Sequence, residues 1–136
     1  MKELNRETHE GIGKDVEFVA RTLVDAGLKV HRALGPGLLE SAYEHCLAHE
    51  LHARGLEFER QIVLPIVYDG ARIDAGYRLD LMVERSVVVE VKSVDALTRV
   101  HEAQILTYLK LSGCRIGFLM NFNVPLFKEG VRRFML

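Results

Sequence analysis

The sequence predicts an α+β or mixed α/β domain, with elements in the order helix, helix, antiparallel strands, helix, strand. Three observations predict it. Apolar residues recur at helical spacing in two stretches before Gly55. From Glu57 to Val94, β-rich runs alternate with hairpin signals. A third helical stretch then separates two strongly apolar strands, a β-α-β arrangement that calls for a parallel, right-handed crossover.

The first helix spans Val16 to Leu34, on the spacing of Val16, Val19, Ala20, Leu23, Leu28, Val30 and Leu34. Gly27 offers a point at which it could break in two. Residues 1–13 are polar and read as a loose arm. Gly35-Pro36-Gly37 is a stop and a turn. A second helix runs from about Leu38 to Arg54 and closes at Gly55.

Glu57 to Tyr68 is a β-rich run interrupted by Pro65, which suggests an edge strand or a bulge. Asp69-Gly70 is a hairpin turn signal, so Ala71 to Asp74 can pair back. Gly76 precedes a strand from Tyr77 to Val83, and Val87 to Val94 is the most apolar strand. Asp95 is placed to cap the next helix, about Leu97 to Ser112, which closes at Gly113. Ile116 to Asn121 reads as a last buried strand. The tail, Val124 to Leu136, could be a short strand or a packed turn.

With 136 residues the chain is one domain, 1–136, able to bury a single core. It lacks any run of about 18 apolar residues, which argues against a membrane helix. The polar start has no apolar signal core, so a cytoplasmic protein is expected. Cys46 and Cys114 lie far apart in apolar stretches and read as buried free thiols. The net charge of −1 is low for a dedicated DNA binder. Basic residues gather only at Lys128, Arg132 and Arg133.

Chemistry concentrates between Tyr77 and Lys92, YRLDLMVERSVVVEVK. Charge is normally avoided in such apolar runs, yet Asp80, Glu90 and Lys92 sit within them. Strand side chains alternate, so Glu90 and Lys92 share a face. A tight turn at Glu84-Arg85-Ser86 pairs Val83 with Val87, Leu81 with Val89 and Leu79 with Val91. That register makes one face wholly apolar and sets Asp80 opposite Glu90. Directly opposed Cβ atoms lie about 4.5–5.5 Å apart, so the two carboxylates repel unless a cation sits between them. The same register opposes Arg78 and Lys92, so either the strands splay there or Arg78 turns outward.

Two carboxylates suit Mg²⁺, a hard cation that prefers oxygen and keeps several waters; Mn²⁺ is the expected substitute. Such an ion polarises a phosphoryl oxygen, and Lys92 adds positive charge beside the attacked phosphate. The plainer alternative is a solvated sheet face on which Lys92 neutralises the acids. Glu40, Tyr43, Leu47 and Leu51 share a helix face, which would turn Glu40 inward as a site acid. Alternatively, Glu40 is a first-turn acid facing the helix dipole. His101, Gln104 and Tyr108 share a face of the crossover helix and could lie over the site, or form a polar helix edge. His45 and His49 have a spacing that can hold zinc, but the H-E-x-x-H order is absent.

The chain resembles the GxxExxY proteins of the PD-(D/E)XK nuclease superfamily. Gly37-Leu38-Leu39-Glu40-Ser41-Ala42-Tyr43 carries the pattern. HRALGPGLLESAYEHCLAHEL, DLMV, VVVEVKS, HEAQILTYLKLSG and GFLMNFN extend it in order over roughly residues 20 to 123. The resemblance implies a restriction-endonuclease-like core, a mixed sheet flanked by helices. It makes Asp80 and Glu90 metal-binding acids, Lys92 the catalytic lysine, Glu40 the helix acid completing the site and Gln104 an accessory glutamine. The superfamily's proline before the first strand acid is replaced by Leu79, which removes no ligand.

The expectation is therefore a Mg²⁺-dependent nuclease acting on DNA, without membrane contact and possible as a homodimer. The alternative is a non-catalytic module that keeps the fold and serves as a partner subunit.

Overall fold

The structure, a computed structural model, describes residues 14–136. The loose arm expected over residues 1–13 lies outside the described residues. Helices α1 (Val16–Leu34) and α2 (Glu40–Ala53) come first. Strands β1 (Phe58–Val63), β2 (Ile66–Tyr68), β3 (Ala71–Ile73), β4 (Arg78–Val83) and β5 (Val87–Lys92) follow. Helix α3 (Arg99–Ser112), β6 (Ile116–Asn121), a 3-10 turn (Phe127–Glu129) and β7 (Val131–Met135) complete the chain. The main sheet has the order β1-β4-β5-β6-β7, and β2-β3 forms a separate hairpin. Among the described residues only β5 and β6 pair in parallel, joined through α3. This is the mixed α/β architecture of a restriction-endonuclease-like fold.

Each face of the sheet buries its own apolar cluster. One joins α1 and α2 to Leu81, Val83, Val87, Val89, Val91, Phe118 and Met120. The other joins α3 to Ile62, Leu79, Met82, Val88 and Leu119. Strands β5 and β6 alternate regularly between these faces, as the pleat requires.

Gly27 does not break α1. A Cβ there would lie 2.6 Å from Phe127 Cζ, so the missing side chain lets that ring pack onto the helix. Gly117 plays the same part for α3, where a Cβ would lie 3.1 Å from Leu109 Cδ2 and 3.2 Å from Ile105 Cγ1. Asp95 is not the cap of α3. Thr98 is: its hydroxyl accepts from the His101 N–H, and His101 Nδ1 accepts from the Thr98 N–H.

In the tail, both readings hold in succession: a packed turn, then strand β7. Of the basic residues there, Arg132 pairs with Glu102 and Arg133 with Glu17 at 2.6 Å, while Lys128 is exposed. Cys114 is buried as expected, whereas Cys46 is only half-buried. Among the described residues, no helix is long and apolar enough to cross a membrane.

Candidate active site

The β4-β5 hairpin has the predicted register at its turn end: Val83 opposes Val87, and Leu81 opposes Val89. The turn uses Glu84 and Arg85 at φ +52° and +51°, a left-handed pair of the kind tight hairpins need. Beyond Leu81 and Val89 the regular ladder stops, so the strands open there and Arg78 is not held against Lys92.

Carboxylates replace the missing ladder. The Asp80 N–H donates to Glu90 Oε1 at 2.9 Å, and the Val91 N–H donates to Asp80 Oδ2 at 2.9 Å. Each acid thus holds the backbone of the other strand. A tight turn and a single register bring the pair together, but their own side chains set the final geometry.

The neighbouring strand explains the opening. Leu81 and Val83 face α1 and α2, whereas Leu79 faces α3. Simple alternation would put all three on one side. Strand β1 makes the same switch: Phe58 packs toward α1 and α2, and Ile62 toward α3. Both inversions fall on one rung, Gln61 and Asp80, which is the rung missing between Arg60–Leu81 and Ile62–Leu79. Gln61 has φ +52°. A non-glycine residue there costs about 1–2 kcal/mol, so contacts must hold it. The wholly apolar face expected from Leu79, Leu81 and Val83 is therefore corrected at Leu79.

Glu90 is only 4 % exposed. Burial, and then the charge of Asp80, push its carboxyl up to about 8, against the Asp80 N–H and Lys92. Burial also raises the Asp80 carboxyl, opposed by the Val91 N–H, while Glu44 raises it further. Lys92 Nζ lies 3.7 Å from Glu90 Oε2. One ammonium group thus sits beside buried Glu90 and acts through space on half-buried Asp80. The donors are all oxygen, and with both acids ionised they carry more negative charge than Lys92 offsets, so Asp80 and Glu90 fit a hard divalent cation that takes the place of the proton on Glu90.

Helix α3 lies over this end of the hairpin. Tyr108 is buried and bonded to Gln104; burial, then Glu90 and Asp80, push its phenol up to about 12. Tyr108 thus feels the charge of both acids and Gln104 is linked to them through Tyr108, while His101 serves the cap of α3.

Glu40 is exposed, not turned inward. Among the described residues, no three His, Cys, Asp or Glu side chains gather to hold a metal ion. The trio of Asp80, Glu90 and Glu40 is therefore not assembled, nor is a zinc site around His45 and His49. Glu40 opens α2 just after Leu38, whose carbonyl accepts from Ser93 Oγ at 2.6 Å, so the helix start sits beside the end of β5. Tyr43 is structural. Its hydroxyl donates to the Gly35 carbonyl and accepts from the Leu38 N–H, and its ring stacks on Phe122 at 4.6 Å.

The buried helix acid is Glu44, one turn beyond Glu40. Its Oε2 accepts from Arg60 Nη2 at 2.9 Å and its Oε1 from Gln61 Nε2 at 3.0 Å. Glu44, Leu47, Ala48 and Leu51 follow i, i+3, i+4, i+7, a signal readable in the sequence. Gln61 also reaches Asp80 Oδ1 at 3.4 Å, and nothing in the sequence marks it. Asn121, beside Lys92 on β6, bonds both the N–H and the carbonyl of Val94 and so fixes the exit of β5.

No curated protein and no solved structure matches this chain. The family model of the PD-(D/E)XK nuclease superfamily, by contrast, matches residues 17–134, a span that takes in all of the described helices and strands but Val16 at the start of α1 and Met135 at the end of β7, and every side chain meeting at the open end of the hairpin. By that match the chain belongs to the PD-(D/E)XK nuclease superfamily.

Proposed function

We propose that this chain is a Mg²⁺-dependent nuclease that hydrolyses the phosphodiester bond of DNA. The observation that carries the reading is the pair of buried Glu90 and half-buried Asp80, cross-bonded through the backbone with Lys92 3.7 Å from Glu90. Superfamily members generally use divalent metals, and membership supports nucleic acid as the substrate class. Asp80 and Glu90 would hold the cation, with Mn²⁺ as its substitute. The ion, when bound, supplies Lewis-acid polarisation of the phosphoryl oxygen and acidifies a water nucleophile.

The chain's own groups do the rest. Lys92 places positive charge beside the phosphate as negative charge develops there. Gln104 holds the Tyr108 hydroxyl at the edge of the site, where the phenol stays protonated and able to donate. Glu40 and His101 stand at the helix starts around this end of the sheet, in reach of substrate and not of the acids. One chain with a net charge of −1, whose Arg132 and Arg133 are paired, offers little grip on DNA, and a homodimer would let two chains share it.

Cleavage of plasmid and single-stranded DNA with Mg²⁺ or Mn²⁺ tests the reading, with Asp80→Ala and Lys92→Ala beside the parent. Loss of cleavage in both variants is expected. Cleavage that survives in both removes the assignment, and a parent that binds neither Mg²⁺ nor Mn²⁺ in calorimetric titration favours a non-catalytic partner subunit.

A further inference from the structure

Arg60 and Gln61 are neighbours in β1, and alternation should send their side chains to opposite faces of the sheet. Both nevertheless reach Glu44, on its two separate oxygens. The left-handed backbone of Gln61 is what turns its side chain to that side. The carboxamide then lies between two acids, with Nε2 3.0 Å from Glu44 Oε1 and 3.4 Å from Asp80 Oδ1. Only the NH₂ end can face two carboxylates, because the amide oxygen would be repelled by both.

We infer that Gln61 is a positioning residue for the metal-binding carboxylate: its amide ties Asp80 to the Arg60-Glu44 pair on α2 and so aims Asp80 at the cation. This rests on the nuclease reading proposed above. A neutral amide suits the task better than a cation would. It gives one proton to each acid without offsetting the negative charge that Asp80 must offer. The strained backbone is the structural cost of putting the amide there, and it falls on the same rung as the inversion that frees the Asp80 N–H for Glu90.

Gln61→Gly removes the amide while keeping a residue at ease with positive φ. Gln61→Asn, also tolerant of that region but one methylene shorter, stands in should the glycine variant not fold. Mn²⁺ is titrated calorimetrically into each protein, with plasmid cleavage followed across the same concentrations and Tm recorded. The expected result is Mn²⁺ binding about 10–100-fold weaker than in the parent, with the cleavage curve shifted by the same factor. A purely structural role would move Tm and leave the Mn²⁺ affinity alone. Variants that bind within about twofold of the parent overturn the role of Gln61. A parent that binds no Mn²⁺ overturns the nuclease reading and this inference together.

Discussion

Asp80 and Glu90 are joined through each other's backbone: the N–H of Asp80 enters the carboxylate of Glu90, and the N–H following Glu90 enters the carboxylate of Asp80. Each acid therefore has a structural duty as well as a chemical one. Replacements that keep an acceptor separate the two. Asp80→Asn should fold near normally yet lose Mn²⁺ binding. Asp80→Ala should lose binding and also about 1–3 kcal/mol of stability, because the Val91 N–H is left without its partner. Denaturant melts beside Mn²⁺ titrations check both, and equal stability of the two variants would contradict the cross-bonded geometry.

Lys92 touches the site through Glu90 and holds no cation. Lys92→Ala should therefore leave Mn²⁺ affinity unchanged or tighter while cleavage slows by about 10²–10³-fold. Single-turnover rates at saturating Mn²⁺ check this. Weaker Mn²⁺ binding in Lys92→Ala would assign the lysine to folding the site instead.

The metal-free protein should be less stable at alkaline pH. The Glu90 carboxyl is raised from its ordinary 4.5 to about 8, so the folded state favours the neutral acid. Below about 4.5 both states are protonated and the contribution is complete; as pH rises to about 8 the unfolded chain loses its proton first and the contribution is lost. Asp80 is raised too and acts in the same direction. Tm in EDTA should fall across this window, and Glu90→Gln should flatten the fall. Added Mg²⁺ should restore more stability at the alkaline end, where it competes with fewer protons.

Glu44 is buried beneath Arg60 and Gln61. Glu44→Ala leaves both donors without their acceptor and should cost about 3 kcal/mol. Glu44→Gln keeps a partner for one of them and should cost less. Urea melts of the two variants decide, and a harmless Glu44→Ala would show that the cluster is idle.

At Gly27 two effects oppose. Alanine gains about 1 kcal/mol of helix propensity, while a Cβ 2.6 Å from Phe127 Cζ overpacks the core by about 1–3 kcal/mol. Net destabilisation is expected, and the smaller ring site in the double variant Gly27→Ala, Phe127→Leu should recover part of it. Additive losses in that cycle would count against direct contact.

The order of elements, the turn at Glu84 and Arg85, the Val83–Val87 register and the grouping of Asp80, Glu90 and Lys92 were legible in the chain itself, because period and turn chemistry are local. Local spacing also ranked Glu40 with the core face, although Glu44 lies on the better stripe. What only the tertiary structure decided lies on one rung. Gln61 turns left-handed, Leu79 changes sides, and the hairpin opens so that two acids can bond each other's backbone. No pattern of residues announces that inversion. Its strain is tolerated only because Glu44, on a helix 17 positions earlier, supplies the acceptor that holds Gln61 in place.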